Sequence, residues 1–149
     1  MRVPLLVSSA YSLGFGAALP AALARRAREF GYGALALADR NGVYGLPAFI
    51  EAAEAEGLRP ILGTELAWPG GRALLLAKDR EGFARISRLL TARAEGRLDA
   101  RRELAAGARG LVAATDDEAL LALAAGNGAG GLYALLSPCN RPRWRALLR

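Results

Sequence analysis

Short apolar runs alternate with longer stretches in which apolar residues recur every three or four positions. Val3 to Val7 reads as a buried strand, and Leu19 to Phe30 as a helix with Leu19, Leu23, Ala27 and Phe30 on one face. Pro20 suits the first turn of that helix, and Gly31 stands where a helix-ending glycine belongs. Ala34 to Ala38 is the next strand, followed by a turn at Asn41-Gly42. Leu46 to Glu56 is a second helix, with Pro47 in its first turn and Gly57 after its end. Arg59 to Leu62 and Ala73 to Ala77 read as strands.

The second half continues in this way. Asp79 caps a helix running through Phe83, Ile86, Leu89 and Leu90. Leu98 to Ala106 is a short helix and Leu111 to Ala114 a strand. Thr115-Asp116-Asp117-Glu118 has capping-box spacing and opens a helix to about Ala125. Asn127 to Gly131 is a turn, Leu132 to Leu136 a strand, and Arg143 to Leu148 a last helix. Strands alternating with helices predict an α/β fold, a parallel sheet with flanking helices. No repeat or linker divides the chain, so residues 1–149 form a single domain.

Composition narrows the class. At 53% hydrophobic and 23% charged, the chain is an ordinary globular one. No apolar run approaches the roughly 20 residues that span a bilayer, and the first residues lack a signal-peptide pattern. The expectation is a cytoplasmic protein with no membrane partner. Cys139 is the single cysteine, which excludes an internal disulfide. The net charge is +6, nearly all of it from arginine, since Lys78 is the only lysine. Such a chain can attract phosphates, but arginine is also the ordinary solvated cation of a GC-rich genome. No glutamine and few asparagines are compatible with a thermophile.

Ser8, Asp39 and Glu65 each fall at or just beyond the end of a predicted strand, where sites form in parallel α/β folds. Two carboxylates converging there could hold a hard cation. In the plainer reading, Asp39 caps the following turn and Glu65 faces solvent. The chain contains no histidine, so neither Cys139 nor Ser8, Ser9 or Ser12 has an imidazole base. Two carboxylates alone make a poor zinc site, and Arg40 places a fixed positive charge where a cation would go. Gly14-Phe15-Gly16 lacks the third glycine of a dinucleotide fingerprint. Trp68 and Trp144 stand in no aromatic-basic pattern specific to single strands.

Three segments carry a resemblance. Leu5-Leu6-Val7-Ser8-Ser9-Ala10-Tyr11-Ser12, Ala36 to Gly45 and Pro60-Ile61-Leu62-Gly63-Thr64-Glu65 are similar to the opening of a PHP domain, the polymerase and histidinol phosphatase family. Leu74 to Leu90 resembles a segment of bacterial DNA polymerase III alpha subunits, particularly their error-prone relatives. In the family the first segment usually reads His-x-His-Ser, the second Asp-His-Gly and the third ends in Gly-x-Glu. By that resemblance the histidine positions fall on Leu6, Ser8 and Arg40, while Asp39 and Glu65 keep a ligand type.

The family's domain is a seven-stranded βα barrel holding zinc or manganese, with phosphoesterase or exonuclease activity when intact. The resemblance therefore implies a partial, shortened barrel with a vestigial site at Leu6, Ser8, Ser9, Asp39, Arg40 and Glu65, and neither metal nor catalytic residues. It further implies a structural or protein-interaction role in DNA replication or repair. The implied partner is a polymerase subunit, another protein, or a second copy covering an open sheet edge. A residual phosphoesterase using Asp39 and Glu65, and an arginine-driven nucleic-acid-binding module, stay open beside it.

Overall fold

The computed structural model describes residues 3–128 and 130–135. The elements run α1 (Pro20–Glu29), β1 (Ala34–Arg40), α2 (Leu46–Ala55), β2 (Arg59–Trp68), β3 (Gly71–Ala77), α3 (Arg80–Ala94), α4 (Ala100–Ala105), β4 (Leu111–Thr115), α5 (Glu118–Gly126) and β5 (Leu132–Ala134). The strands form one sheet in the order β1-β2-β3-β4-β5.

The α/β class and the flanking helices stand, and four of the five strands point one way. β1 pairs parallel with β2, and β4 with β5, whereas β3 is antiparallel to both its neighbours. That inversion has a local cause. β2 runs on to Trp68, and Pro69-Gly70 then turns the chain straight back, with Trp68 opposite Gly71. A turn that short can join only antiparallel strands.

The predicted first strand is not a strand. Val3 to Val7 lies extended along β1, which donates the Ala36 and Ala38 N–H groups to the Pro4 and Val7 carbonyls at 3.0 and 2.8 Å. Two bonds are too few for a ladder. Glu65 lies inside β2, not beyond its end. The expected helix at Arg143 to Leu148, Cys139, Trp144 and Leu136 lie outside the described residues.

Helices pack on one face of the sheet. Leu35 and Leu37 of β1 meet Ala24, Ala27, Leu46 and Phe49 of α1 and α2. Leu75, Leu111 and Ala113 meet Ile86, Leu89, Leu104 and Leu120 of α3, α4 and α5. The other face holds Ala36, Ala38, Leu74 and Leu76, with Ile61, Val112 and Ala114 beside them; among the described residues this cluster draws on strands alone. Successive strand residues alternate between these faces.

Two details of the helices differ from the reading of the chain. Leu19 and Phe30 are not on the buried face of α1; they are its capping residues and are 62% and 61% exposed. The Arg26 guanidinium sits 4.4 Å from the Phe30 ring centroid instead. The cap of α5 is Asp117, not Thr115: its carboxylate accepts from the Ala119 and Leu120 N–H groups at 3.0 and 3.2 Å. Thr115 donates its hydroxyl to the Arg72 carbonyl across the sheet, 2.6 Å away. Asp79 caps α3 as its position predicts, accepting from the Gly82 N–H at 2.8 Å.

Candidate functional site

The candidate residues divide between the two faces of the sheet. Asp39 pairs in register with Thr64, and Arg40 with Glu65. Neighbours along a strand point to opposite sides, so the Asp39 and Glu65 carboxylates do not converge.

On the helix side, Asp39 is 2% exposed and fully engaged. Ser9 donates its backbone N–H to Oδ1 at 2.7 Å and its hydroxyl to Oδ2 at 2.8 Å. Ser12 donates its hydroxyl to Oδ1 at 2.7 Å and accepts the Arg40 N–H at 2.9 Å. Asp39 therefore latches the loop after residue 8 onto the end of β1, rather than capping the Asn41-Gly42 turn. That turn has its own support: Asn41 adopts φ 54° and accepts the Ala67 N–H on its side-chain oxygen at 2.8 Å. The latch leaves no spare space. A Cβ on Gly45 would stand 2.6 Å from Asp39 Oδ2 and 3.0 Å from Ser9 Oγ.

On the opposite side, Glu65 is 5% exposed and does not face solvent. Arg40 Nη1 lies 3.2 Å from its Oε2, and Arg72 Nη1 2.8 Å from its Oε1. Arg72 Nε reaches Asp116 Oδ2 at 3.1 Å. Two guanidinium groups and two carboxylates thus form one chain of charge-assisted hydrogen bonds. Burial alone would lower the Arg72 pKa, but hydrogen bonds to Glu65 and Asp116, and their charges, raise it overall. The Arg40 guanidinium also lies 4.3 Å from the centroid of the Phe15 ring.

Arg40 thus pairs with Glu65, while Asp39 is held by serines. Val7 packs toward the helices, while Leu6 and Ser8 join neither network among the described residues. Leu6 is 39% exposed. Ser9 belongs to the latch.

Arg72 joins the Glu65 network without having been singled out from the chain, and Asp116 and Ser12 take part as an ion-pair partner and a latch rather than as a capping-box residue and a serine without a base. The signal for Arg72 was the Pro69-Gly70 turn. Read as a hairpin, it puts Arg72 opposite Ala67 and on the face of Glu65.

The donor set does not fit a metal. Of the residues at the family's ligand positions, Leu6 and Arg40 offer no ligand atom, Ser8 offers a weak one, and both Glu65 oxygens carry an arginine. Among the described residues, no three His, Cys, Asp or Glu side chains are placed to hold an ion. Nor, among them, is any helix long and apolar enough to cross a membrane.

This largely parallel α/β sheet, with its characteristic segments at the strand ends, defines a class. The PHP domain model matches residues 5–144, and the chain belongs to that family. Its relatives include the error-prone DNA polymerase of Corynebacterium efficiens, 38% identical over 128 residues covering 86% of this chain. That of Anaeromyxobacter sp. strain K is 43% identical over 125 residues covering 70% of this chain. The chain spans 11% of the length of each. Among solved structures it is similar to an amidohydrolase from Chromobacterium violaceum with bound sulfate and no metal, at 27% identity and a TM-score of 0.51. That match covers 72% of this chain and 38% of the other.

Proposed function

We propose that this chain is a PHP domain of error-prone-polymerase type whose strand-end site is a structural ion-pair cluster, not a metal centre. In this reading it serves DNA replication or repair as a scaffold or protein-interaction surface, with a polymerase subunit as the natural partner. One observation carries the proposal: Arg40 and Arg72 occupy both oxygens of Glu65. A cation entering there would have to displace two guanidinium groups that already neutralise the carboxylate, and would find no imidazole in return.

Elemental analysis of protein purified without chelators tests this, together with hydrolysis of a simple phosphate ester in added Mn²⁺. The expected result is no stoichiometric zinc or manganese and no hydrolysis above background. One metal per chain, lost in Glu65→Gln, would overturn it. So would tight metal binding by Arg40→His, which would mean that the site was one ligand short.

A further inference from the structure

The loop after β1 carries a feature that the ion-pair cluster does not use. Tyr44 is 76% exposed. It stands at a cavity of about 390 Å³ between this loop and the second half of α3, lined also by Asn41, Ser87, Leu90, Thr91 and Arg93. That volume lies within the range of small-molecule pockets.

Two hydroxyls and a cation stand among the apolar side chains of Val43, Leu90 and Ala94 in its lining. Ser87 and Thr91 donate their hydroxyl protons to the carbonyls of Phe83 and Ser87, at 3.1 and 3.0 Å. Their oxygens are left to accept. Arg93 is steadied by one bond, from Nε to the Ala67 carbonyl at 3.0 Å, and among the described residues no carboxylate pairs with it. It differs in this from Arg40 and Arg72, whose charges are matched locally.

We infer that this cavity holds one nucleotide of a single-stranded nucleic acid, with the base stacked on Tyr44 and a phosphate paired to Arg93. An exposed ring and an unmatched guanidinium lining one cavity are what an unpaired nucleotide needs, because every base has a π-face and every phosphate a charge. The +6 charge of the chain favours a polyanion. The neighbouring loop offers more ring surface in Tyr11 and Phe15, 49% and 62% exposed, and Phe15 has the Arg40 guanidinium against it. A duplex, with its bases stacked inside, cannot use Tyr44. The site is separate from the Glu65 cluster and does not depend on the proposed loss of metal.

Fluorescence anisotropy with the full chain and labelled oligo-dT, oligo-rU and a duplex of equal length tests the site. Both single strands should bind more tightly than the duplex; a preference between them assigns DNA or RNA as the occupant and supports the site either way. Tyr44→Ala should raise Kd by about 5- to 150-fold, the range of one lost stacking contact, with an unchanged salt slope. Tyr44→Phe should bind like the parent, and Tyr44→Leu should not. Arg93→Gln should reduce the slope of log K against log salt by about 0.7, one phosphate on a single strand. Thermal melts matching the parent show that the variants are folded. Equal binding by Tyr44→Ala and the parent, duplex bound as tightly as single strands, or no binding at low salt would each overturn the inference.

Discussion

Replacing Arg72 by Met tests how the Glu65 cluster is held together. Met retains most of the apolar stem that Arg72 lays across the sheet and removes only the charged fork. The Glu65 side chain is 6% exposed and Asp116 15%, while Arg72 itself is 31% exposed. Stranding a fully buried carboxylate costs about 3–5 kcal/mol, and breaking a solvent-exposed pair costs about 0–1 kcal/mol. Here Glu65 keeps Arg40 at 3.2 Å and water screens part of Arg72, so the expected loss is about 2 kcal/mol. For a chain of this size that lowers Tm by about 4–8 °C. Adding Arg40→Ala leaves Glu65 with neither arginine. The double variant should lose about 4 kcal/mol, more than its two single losses together, because one partner then no longer covers for the other. Replacing Glu65 by Met as well should recover most of the loss, since an apolar side chain needs no partner. Urea denaturation of the four variants measures each step. If Arg72→Met costs less than about 0.5 kcal/mol, or the double variant is simply additive, the cluster is a surface decoration and the reasoning fails.

Three further outcomes follow from the same geometry. Arg40→Ala alone should cost about 1 kcal/mol in urea titration, because Arg72 still holds Glu65 at 2.8 Å and Asp39 has its own donors. Gly45→Ala should cost about 1–3 kcal/mol in the same assay, since its Cβ would press on Asp39 Oδ2 at 2.6 Å and force the serine latch to shift. Burial alone would raise the Asp117 pKa, but the Arg101 hydrogen bond, the backbone N–H groups of Leu120 and Ala119, and the Arg101 charge lower it overall. A carboxylate depressed on folding stabilises above its unfolded pKa and loses that contribution as pH falls through the folded one. Asp117→Asn should therefore be less stable than the parent at neutral pH, and the gap should close below about pH 4 in melts taken across the acid range.

The elements were legible because their signals are local. Asp79 capping α3, Pro20 and Pro47 opening α1 and α2, and the apolar runs of β1 and β4 each depend on a few neighbouring residues. The resemblance in the first three segments and in Leu74 to Leu90 located the family. The direction of β3 was less accessible: its apolar run reads the same in either direction, and only the two-residue turn before it carries the information. The site was harder still. Asp39 and Arg40 are adjacent in sequence and suggest one shared cluster, yet strand alternation sends them to opposite faces. Arg72 looked like any other solvated arginine until pairing placed it beside Glu65.

The separation of Asp39 from Arg40 by the thickness of one sheet makes the strand end modular. The latch that ties the first loop to β1 uses Ser9, Ser12 and Asp39; the side chains of Arg40, Glu65 and Arg72 lie on the far side. A designer could therefore rewrite Arg40, Glu65 and Arg72 as a set, to install a ligand cage or a purely apolar plug, while keeping the anchoring of the loop. For the same reason, random substitutions at those three positions should be buffered in their effect on loop anchoring, whereas substitutions in the serine latch should not.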